Sequence, residues 1–126
     1  MLRGDDAGFR ALMQQISDSL YGALPAEERA RIESHTHPEQ DVVLGVWEFV
    51  LTASPEEMGE LITSTARMIT APYLAIHGID PGDEYAAWMK DVMPAATLEL
   101  WPDIGHYPHL AEPERFVRRV NDFSPG

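Results

Sequence analysis

The division at Ala71-Pro72 constrains this chain more than any other feature. Before it, every patterned stretch has helical spacing; after it, short apolar runs alternate with amphipathic ones. Tyr73-Leu74-Ala75-Ile76, entered through Pro72, is a continuous apolar run, which predicts a strand buried on both faces. Asp83 to Met93 predicts a helix presenting Tyr85, Trp88, Met89 and Val92, and Thr97 to Trp101 predicts a second strand. Strands joined by a helix of about ten residues pair in parallel through a right-handed crossover. Glu112 to Phe123 predicts a last helix, with Phe116, Val117, Val120 and Phe123 inward and Arg115, Arg118 and Arg119 outward. The expected class is α/β: a helical segment over residues 1–70, then a partial parallel sheet (strand–helix–strand–helix) over residues 71–126.

The helical segment has its own punctuation. From Asp6 to Tyr21, Phe9, Leu12, Met13, Ile16 and Leu20 recur on one helical face, and Gly22 stands where a C-terminal cap belongs. Leu24-Pro25-Ala26-Glu27-Glu28 opens a second helix, with Pro25 at its first turn and acids at the positive end of its dipole. Pro38 disfavours helical backbone just before it, so that helix closes between His35 and His37. A third helix is predicted over Glu39 to Thr52; Val42, Val43, Val46, Trp47, Phe49, Val50 and Leu51 make it apolar nearly all round. Such a helix is expected to be buried on more than one side. Ser54-Pro55-Glu56-Glu57 has the form of a capping box with proline at the first helical position. Met58, Leu61, Ile62, Thr65 and Met68 then supply the apolar face of a fourth helix.

Composition narrows the function classes. At 126 residues the chain allows one domain, burying only about two thirds of its unfolded surface. Hydrophobic residues at 44% and charged residues at 24% are globular values, which sets disorder aside. Twenty-one acidic against nine basic residues give a net charge of −12, a field that repels phosphate backbones and anionic lipid. Neither nucleic acid nor a membrane surface is therefore expected as a partner. The absence of cysteine removes disulfides, thiolate catalysis and zinc–sulfur sites. Met1 to Asp6 shows no apolar run behind a basic start, and no stretch nears the roughly 20 apolar residues of a membrane span. A cytoplasmic protein is expected.

Chemistry-bearing residues gather after the two strands. Asp80 lies four residues past Ile76, and His106 five past Trp101. In open parallel sheets, catalytic groups collect beyond the carboxyl ends of the strands, and adjacent strands bring their loops together. A carboxylate beside an imidazole fixes its tautomer and stabilises the imidazolium formed when the ring takes a proton. Asp80 and His106 thus stand as acid and base of a triad would.

Ala71-Pro72-Tyr73-Leu74-Ala75-Ile76-His77-Gly78 resembles the penultimate core strand of many α/β-hydrolases. Pro102-Asp103-Ile104-Gly105-His106-Tyr107-Pro108-His109-Leu110, followed by Glu112-Pro113-Glu114 and an amphipathic helix, resembles the closing part of the same family. The resemblance covers Ala71 to Phe123, while residues 1–70 look like the family's variable cap by position and helicity. It implies that His106 is the general base and that the acid lies in the Gly78–Asp83 loop. That loop is tighter than is usual in the family, so Asp83 rivals Asp80; Asp80 is preferred because Asp83 is placed to N-cap the next helix. The family's G-x-S-x-G elbow is absent from these residues, which places the expected nucleophile upstream of Met1.

The remaining polar residues read as structural. His77 is expected to be a hydrogen-bonded core residue, and His109 to pack or line a pocket. His35, His37, His106 and His109 lack the spacing of a metal-binding helix, so neither metal nor cofactor is expected. Ser17, Ser19, Ser34, Ser54, Ser64 and Ser124 read as helix, loop and cap serines. Met13, Trp47, Phe49 and Met58 read as bundle core before acyl pocket. Two parallel strands leave an apolar edge, so the chain is expected to form a homodimer or to pair with a missing N-terminal half. The predicted function is the C-terminal part of a hydrolase acting on a small apolar ester or other activated carbonyl compound, inactive alone. The alternative is a non-enzymatic oligomeric or ligand- or partner-binding domain derived from a truncated hydrolase.

Overall fold

Local signals set the helix ends of the computed structural model, which describes residues 4–123. Helix α1 (Asp6–Leu20) starts where the Asp5 carboxylate accepts the Gly8 N–H at 2.9 Å, and the chain turns away through Gly22 at φ 51°. Helix α2 (Ala26–His35) follows Pro25, with Glu27 and Glu28 in its first turn. The predicted third helix is broken into α3 (Gln40–Val46) and α4 (Glu48–Thr52). The break is confined to Trp47, whose N–H still reaches the Val43 carbonyl at 2.9 Å. Helix α5 (Pro55–Arg67) begins with the predicted capping box: Ser54 accepts the Glu57 N–H, and the Glu57 carboxylate accepts the Ser54 N–H at 2.8 Å.

Strands β1 (Tyr73–His77) and β2 (Ala96–Leu100) form a parallel pair in the register Tyr73↔Ala96 to His77↔Leu100. Helix α6 (Asp83–Val92) joins them, and Ala66, Ala75, Met89, Val92 and Met93 make the core between the pair and helices α5 and α6. Trp88 ties the two helices by donating its indole N–H to Thr63 Oγ1 at 3.2 Å. This architecture, mainly helical with a small parallel sheet, is compatible with part of an α/β fold. No helix of the described residues is long and apolar enough to cross a membrane.

The closing helix departs from expectation. A short α7 (Pro108–Ala111) precedes α8 (Pro113–Phe123), and Glu112 lies between them. Arg119 turns inward to pair with Glu99 of β2, which also accepts the Trp101 indole N–H at 3.2 Å. The Arg115 guanidinium lies 3.9 Å from the centre of the Trp101 ring. Val117 and Val120, expected inward, are exposed. A half-buried carboxylate and an indole face attract two guanidiniums whose long stems cover apolar surface, which sets the helix rotation.

Burial also falls short of the sequence pattern. Of β1, only Ala75 is buried, and Tyr73 is exposed, so that strand is not covered on both faces. On α3 and α4, Leu44 is buried while Val46 stands 72% and Val50 61% exposed; on α5, Leu61 and Ile62 are exposed. The chain presents 9020 Å² of accessible surface, against roughly 6,700 Å² for a compact monomer of its mass. A two-stranded sheet covers few helix faces, and the rest meet solvent.

Candidate functional site

Parallel pairing does bring the two strand-end loops together. The Trp101 N–H donates to the His77 carbonyl at 2.8 Å, extending the ladder past β2, and the Gly105 N–H reaches the Gly78 carbonyl at 3.3 Å. Between them the chain turns through Asp103 at φ 63° and Gly105 at φ 80°. The His106 N–H then donates to the Leu20 carbonyl at 2.7 Å, so the end of α1 also belongs to the site.

Asp80 Oδ1 accepts the Gly82 N–H at 2.8 Å, a side-chain-closed turn of the kind aspartate favours. The expected cap is displaced: Gly82, at φ 87°, holds the N-cap position, and Asp83 is the first helical residue with no cap hydrogen bond. Gly82 alone accepts that backbone without strain, and Asp83 instead faces the positive end of the helix dipole. No hydrogen bond joins Asp80 or Asp83 to His106 among the described residues. Asp80 lines an open cleft of about 770 Å³ with Ser19, Leu100 and Asp103. His106 lines a neighbouring one of about 330 Å³ with His77, Pro108 and His109. Gly78, Ile79 and Gly105 border both.

Part of this chain is similar to a known ester hydrolase. Over 53 residues, 39% of this chain, it is 43% identical to the pimeloyl-[acyl-carrier protein] methyl ester esterase of Nitrosomonas europaea, of which that stretch is 21%. Over 61 residues, 46% of this chain, it is 34% identical to the enzyme of the same name from Nitrosospira multiformis, of which that stretch is 23%. These esterases are α/β-hydrolase family members, and the chain spans about a fifth of their length. No protein-family profile and no solved structure matches the chain.

The other candidates sort by contact. His77 is half-buried, but its ring packs 5.2 Å from Tyr85 of α6 and makes no hydrogen bond among the described residues. His109 packs 5.8 Å from Phe116. His35 Nδ1 lies 2.8 Å from the Arg31 carbonyl oxygen at the end of α2. No group of three metal-ligating side chains converges among the described residues. Ser19, Ser34 and Ser64 donate to carbonyls of their own helices, and Ser54 is a cap. Ser124 lies outside the described residues. The residues that sequence reasoning missed are Leu20 and Tyr21. Tyr21 is buried, its hydroxyl 3.3 Å from Glu33 Oε1; burial first, and that carboxylate second, push its phenol above the usual value of 10. The available signal is Gly22, whose place after Leu20 and Tyr21 announces the end of α1 but not the close approach of another backbone.

Proposed function

We propose that this chain supplies the acid and base of an α/β-hydrolase-type enzyme that cleaves an ester or another activated carbonyl compound. The observation that carries the proposal is the meeting of the Gly78 and Gly105 loops, with Asp80 and His106 just beyond the contact. The partial likeness to methyl ester esterases supports the reaction class. In this reading residues 1–70 are a cap and residues 71–126 the end of the catalytic core. The protein is cytoplasmic, and the substrate is a small apolar ester.

A serine hydroxyl from outside these residues attacks the carbonyl carbon while His106 takes its proton. The resulting tetrahedral oxyanion collapses, the imidazolium returns the proton to the leaving alkoxide, and water repeats the sequence on the acyl-enzyme. Asp80 orients the ring: Oδ1 holds the Gly82 N–H, which leaves Oδ2 to accept from the imidazole. The reacting groups in this sequence are side chains, the substrate and water.

The exposed apolar faces of α3, α4 and α5 favour a second reading, a non-enzymatic domain that oligomerises or binds an apolar ligand. A fluorophosphonate probe tests the central division of labour. The chain alone is expected to stay unmodified, because its described serines are helical or capping. A stoichiometric adduct on any of its serines would overturn the proposal that the nucleophile comes from elsewhere.

A further inference from the structure

We infer that the C-terminal turn of α1 is the seat that positions His106, with Gly22 as its positioning residue. The inference rests on the catalytic reading of His106 and extends it to a part of the chain far away in sequence. Three segments meet there backbone to backbone. The Leu20 carbonyl accepts the His106 N–H at 2.7 Å, the Asp103 carbonyl accepts the Ala23 N–H at 3.0 Å, and the Gly78 carbonyl accepts the Gly105 N–H at 3.3 Å.

Only glycine permits this approach. A Cβ on Gly22 would lie 2.5 Å from Gly105 N and 2.7 Å from the Ile104 carbonyl carbon. One on Gly105 would lie 2.6 Å from the Leu20 oxygen, and one on Gly78 would overlap the Gly105 oxygen. The obstacles are backbone atoms, which cannot rotate aside as a side chain can. Gly22, at φ 51°, also needs the left-handed region that glycine enters freely.

The seat is held from behind. Arg29 of α2 donates to the Gly22 and Leu24 carbonyls, both at 2.9 Å, and the buried Tyr21 reaches Glu33. The backbone of the proposed base is therefore fixed by the helical half as well as by the end of its own strand. A shift of the α1 turn carries His106 with it.

Amide exchange and proton resonances of the full chain test this contact. The His106 amide is expected to exchange as slowly as the bonded Trp101 amide, and Gly22→Ala should raise its rate by about tenfold or more while Trp101 keeps its protection. The His106 amide and ring Cε1–H resonances should move in Gly22→Ala. They should stay in place in Gly4→Ala, which also puts a Cβ on positive-φ backbone, at φ 85°, but with nothing within 4 Å. Unmoved His106 resonances in Gly22→Ala, or equal movement in Gly4→Ala, would overturn the inference. If Gly22→Ala does not fold, the unaltered chain decides: a His106 amide exchanging at the rate of a free peptide contradicts the seat. Loss of the catalytic reading is separate, since it is read from ester hydrolysis by an assembly that supplies the serine, with and without His106→Ala, and leaves the amide rates of the unaltered chain unchanged.

Discussion

Tyr21 and Tyr85 give this fold a pH dependence on the alkaline side. Burial raises both phenols above their usual 10, with Glu33 adding to the shift at Tyr21 and Tyr73 at Tyr85. Folding therefore favours the protonated phenol, and this stabilisation is complete below pH 10 and is lost as pH climbs through the raised values. Tyr21→Phe should flatten the fall in urea midpoint as pH rises above about 10, leaving a smaller slope due to Tyr85. Superimposable pH curves would contradict this. At the site itself, the meeting of the two strand-end loops was legible because strand ends are easily read. The orientation of Asp80 was not, because its rotamer answers to the Gly82 N–H, a local contact that no pattern announces. In a hydrolytically active assembly, Asp80→Asn should lower kcat by on the order of 10⁴-fold. Asp83→Asn, at the first turn of α6, should cost stability of about 0.5 kcal/mol and little activity.

Whole elements were legible where their signals are local. The α5 capping box involves only Ser54 and Glu57, three residues apart, and it formed as read. Ser54→Ala should lower stability by about 1 kcal/mol in urea unfolding, and an unchanged midpoint would deny the cap that role. The bond to the Ser54 N–H holds the Glu57 carboxyl below its usual 4.5. Its share of the stability is thus present above pH 4.5 and fades as pH falls through the lowered value. Distant partners were not legible. The rotation of α8 depends on Glu99 and Trp101, and neither belongs to the helix whose periodicity was read. Likewise, the apolar girdle of α3 and α4 signals a need for burial without naming the surface that answers it.

At the scale of the molecule, that unmet need is the dominant fact. An accessible surface about a third larger than a compact monomer would have is close to what a large interface removes from one partner. The chain is therefore expected to sediment as a dimer or larger at micromolar concentration. Salt should favour association by screening the charge of −12 on each copy. A sharp monomer peak with cooperative melting would contradict that expectation. The same exposed faces suit the proposal that a serine-bearing core completes the enzyme, and the decisive measurement concerns that completion. The stretch of the Nitrosomonas europaea esterase that corresponds to residues 71–123 is replaced by those residues of this chain, and methyl ester hydrolysis is assayed with and without His106→Ala. The chimera should turn over ester and lose on the order of 10³-fold or more of kcat in the variant. A His106→Ala chimera as active as its parent would contradict the account.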